Sequence, residues 1–324
     1  MQRIMVPLDG GPFAQQALEV AVDIARSNQA RLDIVTVHAP LPPMAPEEPL
    51  DRIEAIHAAL RGQLETYAGD LAAAISRDRG VTAVATVLDG DPATELERFA
   101  AAGKVDLVVM CTHGRGPVAR AWLGSVADRL LRSFYGQLLL LRPDGGQKSG
   151  SRFRVILVAL DGGALAETAI PAARALLAPG GTLVLARCVA PPVIAPLAFE
   201  MPVLPPMVSA GELRDAAEKY LLDQRARSAA AGMTVRTALG ESVNTADWLV
   251  DRAKMEGADL IAISTHGRKG LSRLVLGSVA DKVIRSAAVP VLACHPDDPT
   301  GERAGRSGQL TAAAGKKRRA QSAT

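Results

Sequence analysis

The sequence predicts an α/β fold in two tandem copies, each a doubly wound, Rossmann-like domain with a five-stranded parallel sheet flanked by helices. Three observations predict it. The first is length, since 324 residues at roughly 100–200 per domain make about two domains. The second is an internal repeat. Met5-Val-Pro-Leu-Asp-Gly-Gly11 returns as Val158-Ala-Leu-Asp-Gly-Gly163, Asp106 to Arg115 returns as Asp259 to Arg268, and Leu123 to Asp128 returns as Leu276 to Asp281. The offset stays at about 150 residues, far above the roughly 20–50 of solenoid units, so whole domains are duplicated. The third is the alternation within each copy of short β-branched runs with alanine-rich helical segments, the pattern of a parallel sheet covered on both faces.

The elements follow in order. Ile4 to Leu8 and Val155 to Leu160 are apolar runs that stop at Asp-Gly-Gly, as buried strands bounded by turns do. Ala14 to Ser27 and Ala164 to Leu177 carry helical spacing, and Arg31 to Val37 and Thr182 to Val189 are second strands. Proline-dense stretches come next, 40–46 and 191–206, and these are surface loops. Helices are expected over Glu48 to Arg79 and Gly211 to Ala231, and third strands over Thr82 to Leu88 and Thr234 to Leu239. Fourth strands are Leu107 to Cys111 and Leu260 to Ser264. Each copy closes with a helix after its Gly-Ser and a fifth strand, Gln137 to Leu141 and Val289 to Ala293. The expected boundaries are a first domain over 1–143, a polar linker over 144–152, a second domain over 153–296 and a disordered basic tail over 297–324.

Composition narrows the function. Aromatic residues make up only 3% of the chain, so stacking on bases is not its main mode of recognition. The net charge of +3 is carried wholly by the tail, where Arg303, Arg306, Lys316, Lys317, Arg318 and Arg319 outweigh Asp297, Asp298 and Glu302. A formally neutral body gives no basic face for specific nucleic-acid binding. Three dispersed cysteines, Cys111, Cys188 and Cys294, fit a reduced cytoplasmic setting. No apolar run suggests a membrane span or a secretory leader.

Ligands of open α/β sheets bind beyond the carboxyl ends of the strands where strand order reverses. That principle draws together the turn holding Asp9 or Asp161 and the turn after strand four, Thr112-His-Gly-Arg115 or Thr265-His-Gly-Arg268. A glycine turn leading to Gly-Ser at a helix start suits phosphate, through exposed amides and the positive end of the helix dipole. Seen alone, Asp-Gly-Gly is equally a plain turn, His113 and His266 are more often loop-orienting than ligating, and Arg115, Arg268 and Lys269 divide evenly between phosphate and solvent. Cys188 and Cys294 read as buried apolar residues. Cys111 is the thiol to test for reactivity, although nothing nearby in sequence lowers its pKa.

Gly114, nine residues, Gly124-Ser125, and Gly267, nine residues, Gly277-Ser278, resemble the second part of the nucleotide signature of the universal stress protein family. The resemblance spans residues 3–142 and 153–295. It implies an ATP-binding α/β domain, with ATP alone or with magnesium, and no chemistry common to all members. By that resemblance Asp9 and Asp161 lie near adenine and ribose, and Val189 contacts adenine. Gly114, Gly124 and Ser125, with Gly267, Gly277 and Ser278, contact phosphate and ribose, while Val126 and Val279 offer the next backbone amides; Arg268 joins the expected site by its residue type and place in the glycine turn and not by the resemblance. The chain departs from the signature at Cys111 and Ser264, which replace its first glycine, and at His38, which stands where the second copy has Val189. The second copy is therefore the expected adenine-nucleotide site, and no catalytic or metal-ligating set is expected.

Walker, G-x-G-x-x-G, H-E-x-x-H and G-x-S-x-G motifs are all absent from the sequence. The function expected is nucleotide-responsive regulation in a stress response without required turnover; the alternative is a nucleotide-independent interaction scaffold. The apolar fifth strands invite pairing into an intrachain pseudo-dimer, with further homodimerisation left open.

Overall fold

A computed structural model describes residues 1–39, 50–112, 123–142, 153–191, 209–265 and 276–295. The expected linker, the tail, all of the first proline-dense loop and most of the second lie outside the described residues. The chain divides into two compact units, residues 1–136 with His295 onward, and residues 137–294.

The first unit carries strands β1 (Arg3–Pro7), β2 (Arg31–His38), β3 (Ala83–Asp89) and β4 (Leu107–Cys111), with helices α1 (Pro12–Asn28), α2 (Leu50–Arg79), α3 (Pro92–Ala102) and α4 (Ser125–Ser133). β1 pairs in parallel with β2 on one side and β4 on the other, and β3 adds to β2. Strand order therefore reverses between β1 and β4. Ile4, Met5 and Val6 are fully buried, as are Leu107, Val108 and Val109, so these strands are covered on both faces.

The second unit begins with β5 (Gln137–Leu141). After it come β6 (Phe153–Ala159), α5 (Ala164–Glu167), α6 (Ala169–Leu176), β7 (Leu177–Val189), α7 (Ala210–Ser228), β8 (Thr234–Glu241), α8 (Thr245–Met255), β9 (Leu260–Ser264), α9 (Ser278–Ser286) and β10 (Val291–Cys294). Here β10, β9, β6, β7 and β8 form the expected five parallel strands. The order reverses between β6 and β9. β5 joins this unit antiparallel to β10, Leu140 opposite Val291 and Leu138 opposite Ala293, so the fifth strand of the first repeat is grouped with the second. Arg142, just past β5, donates from Nη2 to the carbonyls of Ile284 (3.0 Å) and Arg285 (2.6 Å), capping the end of α9.

Several details differ from the expectations for physical reasons. The single helix expected over Ala164 to Leu177 is two, α5 and α6, because Pro171 lacks the N–H that would reach the Glu167 carbonyl and its ring crowds that carbonyl. β7 starts early, at Leu177, with an irregularity opposite Phe153 and Val155 at the Gly180-Gly181 corner. Helices α3 and α8 had not been singled out. α3 had a legible start, since Asp91 caps Thr94 N–H at 3.0 Å and Pro92 opens the first turn.

The repeated aspartates at the start of strand four are staples of the sheet. Asp106 Oδ2 accepts from Gln2 N (2.6 Å) and Arg3 N (3.0 Å), and Asp259 accepts from Arg154 N (2.8 Å) and Val155 N (3.2 Å). Burial raises the Asp259 carboxyl pKa despite these bonds. Removing either carboxylate strands two backbone donors at a strand start. Asp106→Ala and Asp259→Ala are each expected to lower stability by about 1–3 kcal/mol, read as a lower urea midpoint; midpoints equal to wild type would contradict the stapling role.

Candidate functional site

In both units the strand-end turn has the same construction. Gly10 and Gly162 sit at φ of 74° and 89°, a left-handed region that a side chain would strain. Beside them Asp9 Oδ1 accepts from Gly11 N (2.8 Å) and Asp161 Oδ1 accepts from Gly163 N (2.7 Å). Each aspartate thus folds its own turn while standing at the switch point. The turn and binding readings of Asp-Gly-Gly are compatible, because one oxygen closes the turn.

Across the order reversal, strand four is followed by a buried threonine whose carbonyl receives the glycine that opens the last helix. Gly124 N donates to the Thr112 carbonyl (2.5 Å) and Gly277 N to the Thr265 carbonyl (2.8 Å). Gly124 and Gly277 are the N-cap residues of α4 and α9. Ser125 and Ser278 are the exposed first helical residues, followed by half-buried Val126 and Val279. Their backbone amides are among those a helix N-terminus leaves without intrahelical partners. A Cβ at Gly277 would lie 3.2 Å from the Thr265 carbonyl oxygen, so glycine there answers a close backbone approach. His113, Gly114, Arg115, His266, Gly267, Arg268 and Lys269 lie outside the described residues.

The two crevices differ in the side chains around them. In the second unit Val189 ends β7 half-buried, as expected, and three residues that the sequence reading missed gather beside Asp161. Tyr220 on α7 donates its hydroxyl to Glu167 Oε1 (3.1 Å), and the Arg187 guanidinium lies 4.9 Å from the centre of the Tyr220 ring. Burial, with the Glu167 and Asp161 carboxylates nearby, raises the Tyr220 phenol well above its usual range. The one available signal was scarcity, as Tyr220 is one of only three tyrosines in the chain.

In the first unit the matching end of β2 is His38. It is buried against His57 of α2 and Asp89 at the end of β3, and neither of these partners had been singled out. Cys111 points to the first turn of α1. It is buried, its Sγ donates to the Phe13 carbonyl (2.8 Å) on α1, and desolvation pushes its thiol up to about 12. Ser264 is buried at the same point of β9. Cys294 is likewise buried and pushed up to about 12, whereas Cys188 is half-buried and raised. Among the described residues no three His, Cys, Asp or Glu side chains are grouped to hold a metal ion, and no described helix is long and apolar enough to cross a membrane.

These thiol environments predict an order of reactivity. At about pH 8 the buried thiols hold almost no thiolate. Cys188 is expected to be labelled first by a disulfide reagent, with Cys111 and Cys294 at least about a hundredfold slower in native protein than in urea. Labelling of Cys111 as fast as Cys188 would contradict this arrangement.

Comparison with known proteins follows the same duplication. The model of the universal stress protein family matches residues 1–142 and again 152–295. A universal stress protein of Mycolicibacterium smegmatis is 25% identical over 298 residues, covering 90% of this chain and 97% of that protein. A shorter one from Thermus aquaticus is 30% identical over 139 residues, 43% of this chain and 97% of its own length. Among solved structures, a universal stress protein from Archaeoglobus fulgidus superposes with a TM-score of 0.65 at 16% identity, covering 90% of this chain and 98% of that one. That likeness is one of fold. Two such domains in one chain fit the intrachain pseudo-dimer expected from the repeat.

Proposed function

The chain belongs to the universal stress protein family, and from that premise we propose that it binds an adenine nucleotide, ATP alone or with magnesium, at the strand-end crevice of the second unit. Occupancy, rather than turnover, is the signal in a stress response. The observation that carries this reading is the placement of Gly277-Ser278 at the N-terminus of α9, held to Thr265 at the end of β9, where the strand order reverses beside β6 and Asp161. Val189, Gly267, Arg268 and Val279 complete the ligand set in this reading, and Asp9, Gly114, Gly124, Ser125 and Val126 form the weaker counterpart in the first unit. The reading places the protein in the cytoplasm, with domains over 1–143 and 153–296.

Signalling by occupancy requires that nucleotide bind two conformations with different affinity. Magnesium enters with the phosphates rather than through a protein cage. A second reading, the nucleotide-independent scaffold, is favoured by one observation: Tyr220, Glu167 and Arg187 already engage one another beside Asp161.

Ser278→Asp separates binding from folding. A carboxylate in the first turn favours the helix dipole and therefore leaves α9 stable, yet it repels phosphate at the same place. Titration calorimetry with ATP is expected to show wild-type affinity reduced about tenfold or more in Ser278→Asp and little changed in Ser125→Asp. Equal affinities for wild type and Ser278→Asp would remove the site.

A further inference from the structure

The end of β2 in the first unit carries a chain of titratable groups, and the matching place at the end of β7 is an aliphatic Val189. His38 Nδ1 lies 3.3 Å from Asp89 Oδ1, and His38 Nε2 lies 3.2 Å from His57 Nδ1. The two rings meet edge to face, centroids 5.0 Å apart at 83°. Arg61, one turn further along α2, pairs with Asp89 and also with Glu65. These contacts fall on the thinly packed part of α2. Residues 51–67 have no buried side chain, and burial begins at Ala68, followed by Ala72 and Ile75. Farther on, Arg79 ties the helix to Glu19 and Asp23 of α1.

We propose that the His38–His57 pair is a proton-operated latch, holding the first half of α2 against the end of β2 until both imidazoles are protonated. A hydrogen bond between two ring nitrogens needs one donor and one acceptor. With His38 Nδ1–H given to Asp89, His38 Nε2 is the acceptor for His57 Nδ1–H. A first added proton goes to His57 Nε2 and leaves that bond intact. A second has only His38 Nε2 to occupy, which turns the acceptor into a donor and sets two cations 3.2 Å apart. Two such coupled sites gain their protons in two macroscopic steps that belong to the pair rather than to either ring.

Among the described residues, no carboxylate other than Asp89 makes a hydrogen bond or ion pair with either ring. Asp89, at the end of β3, is already shared between His38 and Arg61, and His57 reaches it only through His38. Glu65 answers Arg61 from the same helix. From α3, Glu95 lies against Gly90 but is paired with Arg98, and beyond β1 Asp9 Oδ1 is held by Gly11 N–H. β3 is fixed to β2 by a parallel backbone ladder along its length, whereas the first half of α2 buries no side chain over 51–67, so it is the part that lifts. This latch stands independently of nucleotide binding.

The test is hydrogen exchange of the full chain from about pH 8 to about pH 5, corrected for intrinsic rates, with the imidazole nitrogens followed by NMR. In wild type, protection across 51–66 is expected to fall about tenfold or more in one step while 68–79 stays protected, and the two rings titrate in two separated stages. His38→Val, which takes the residue of the second repeat, and His57→Gln, which can donate but not take up the proton, are each expected to abolish the step. Flat protection in wild type, the same step in both variants, or two rings titrating independently would overturn the latch. The wild-type titration decides the matter even if a variant folds poorly.

Discussion

Parallel strands buried on both faces have no water to satisfy the backbone groups at their ends, so each end must be given a partner within the chain. At the starting end of the sheet the partners are the Asp106 and Asp259 carboxylates, each accepting from two backbone amides, Gln2 and Arg3 at the start of β1 and Arg154 and Val155 near the start of β6. At the finishing end they are the aspartate turns and the threonine carbonyls that receive Gly124 and Gly277. The requirement is local, and its solution recurs in both units. It also creates the crevice, since a strand whose end is closed by a tight glycine turn and a neighbouring helix start leaves amide groups facing a common opening.

Duplication then allowed the two crevices to take different side chains without disturbing that frame. Where β7 ends in Val189, β2 ends in buried His38 engaged with His57 and Asp89. Cys111, at the place of the missing glycine, is buried with its thiol bonded to the Phe13 carbonyl in the first turn of α1. The second unit also holds the Tyr220, Glu167 and Arg187 group, with the Asp161 carboxylate near the Tyr220 phenol.

Much of this was legible in the sequence, and the remainder was not for definite reasons. The repeat and the apolar runs placed β4, β5 and β9 to the residue, because a fully buried strand is continuous in hydrophobicity and is bounded by polar residues or glycine, here Asp106 and Thr112, Gly136 and Arg142, and Asp259 and Thr265. Pro171 was visible, yet the split it causes between α5 and α6 depends on which carbonyl it faces. Asp106 and Asp259 were read as part of a repeated motif, while their bonds reach backbone about a hundred residues away. His57, Asp89 and Tyr220 escaped notice for the same reason. Each gains its meaning from a partner on another element, and residue type and spacing carry no record of that distance.

The central claim is that the second crevice is the principal nucleotide site of a duplicated domain whose first crevice has diverged. It is tested most directly by purifying the chain gently, denaturing it, and counting the adenine nucleotide released per chain. One per chain is the predicted result. Two would contradict the divergence of the first crevice, and none, with no thermal shift at about millimolar Mg-ATP, would contradict nucleotide binding itself.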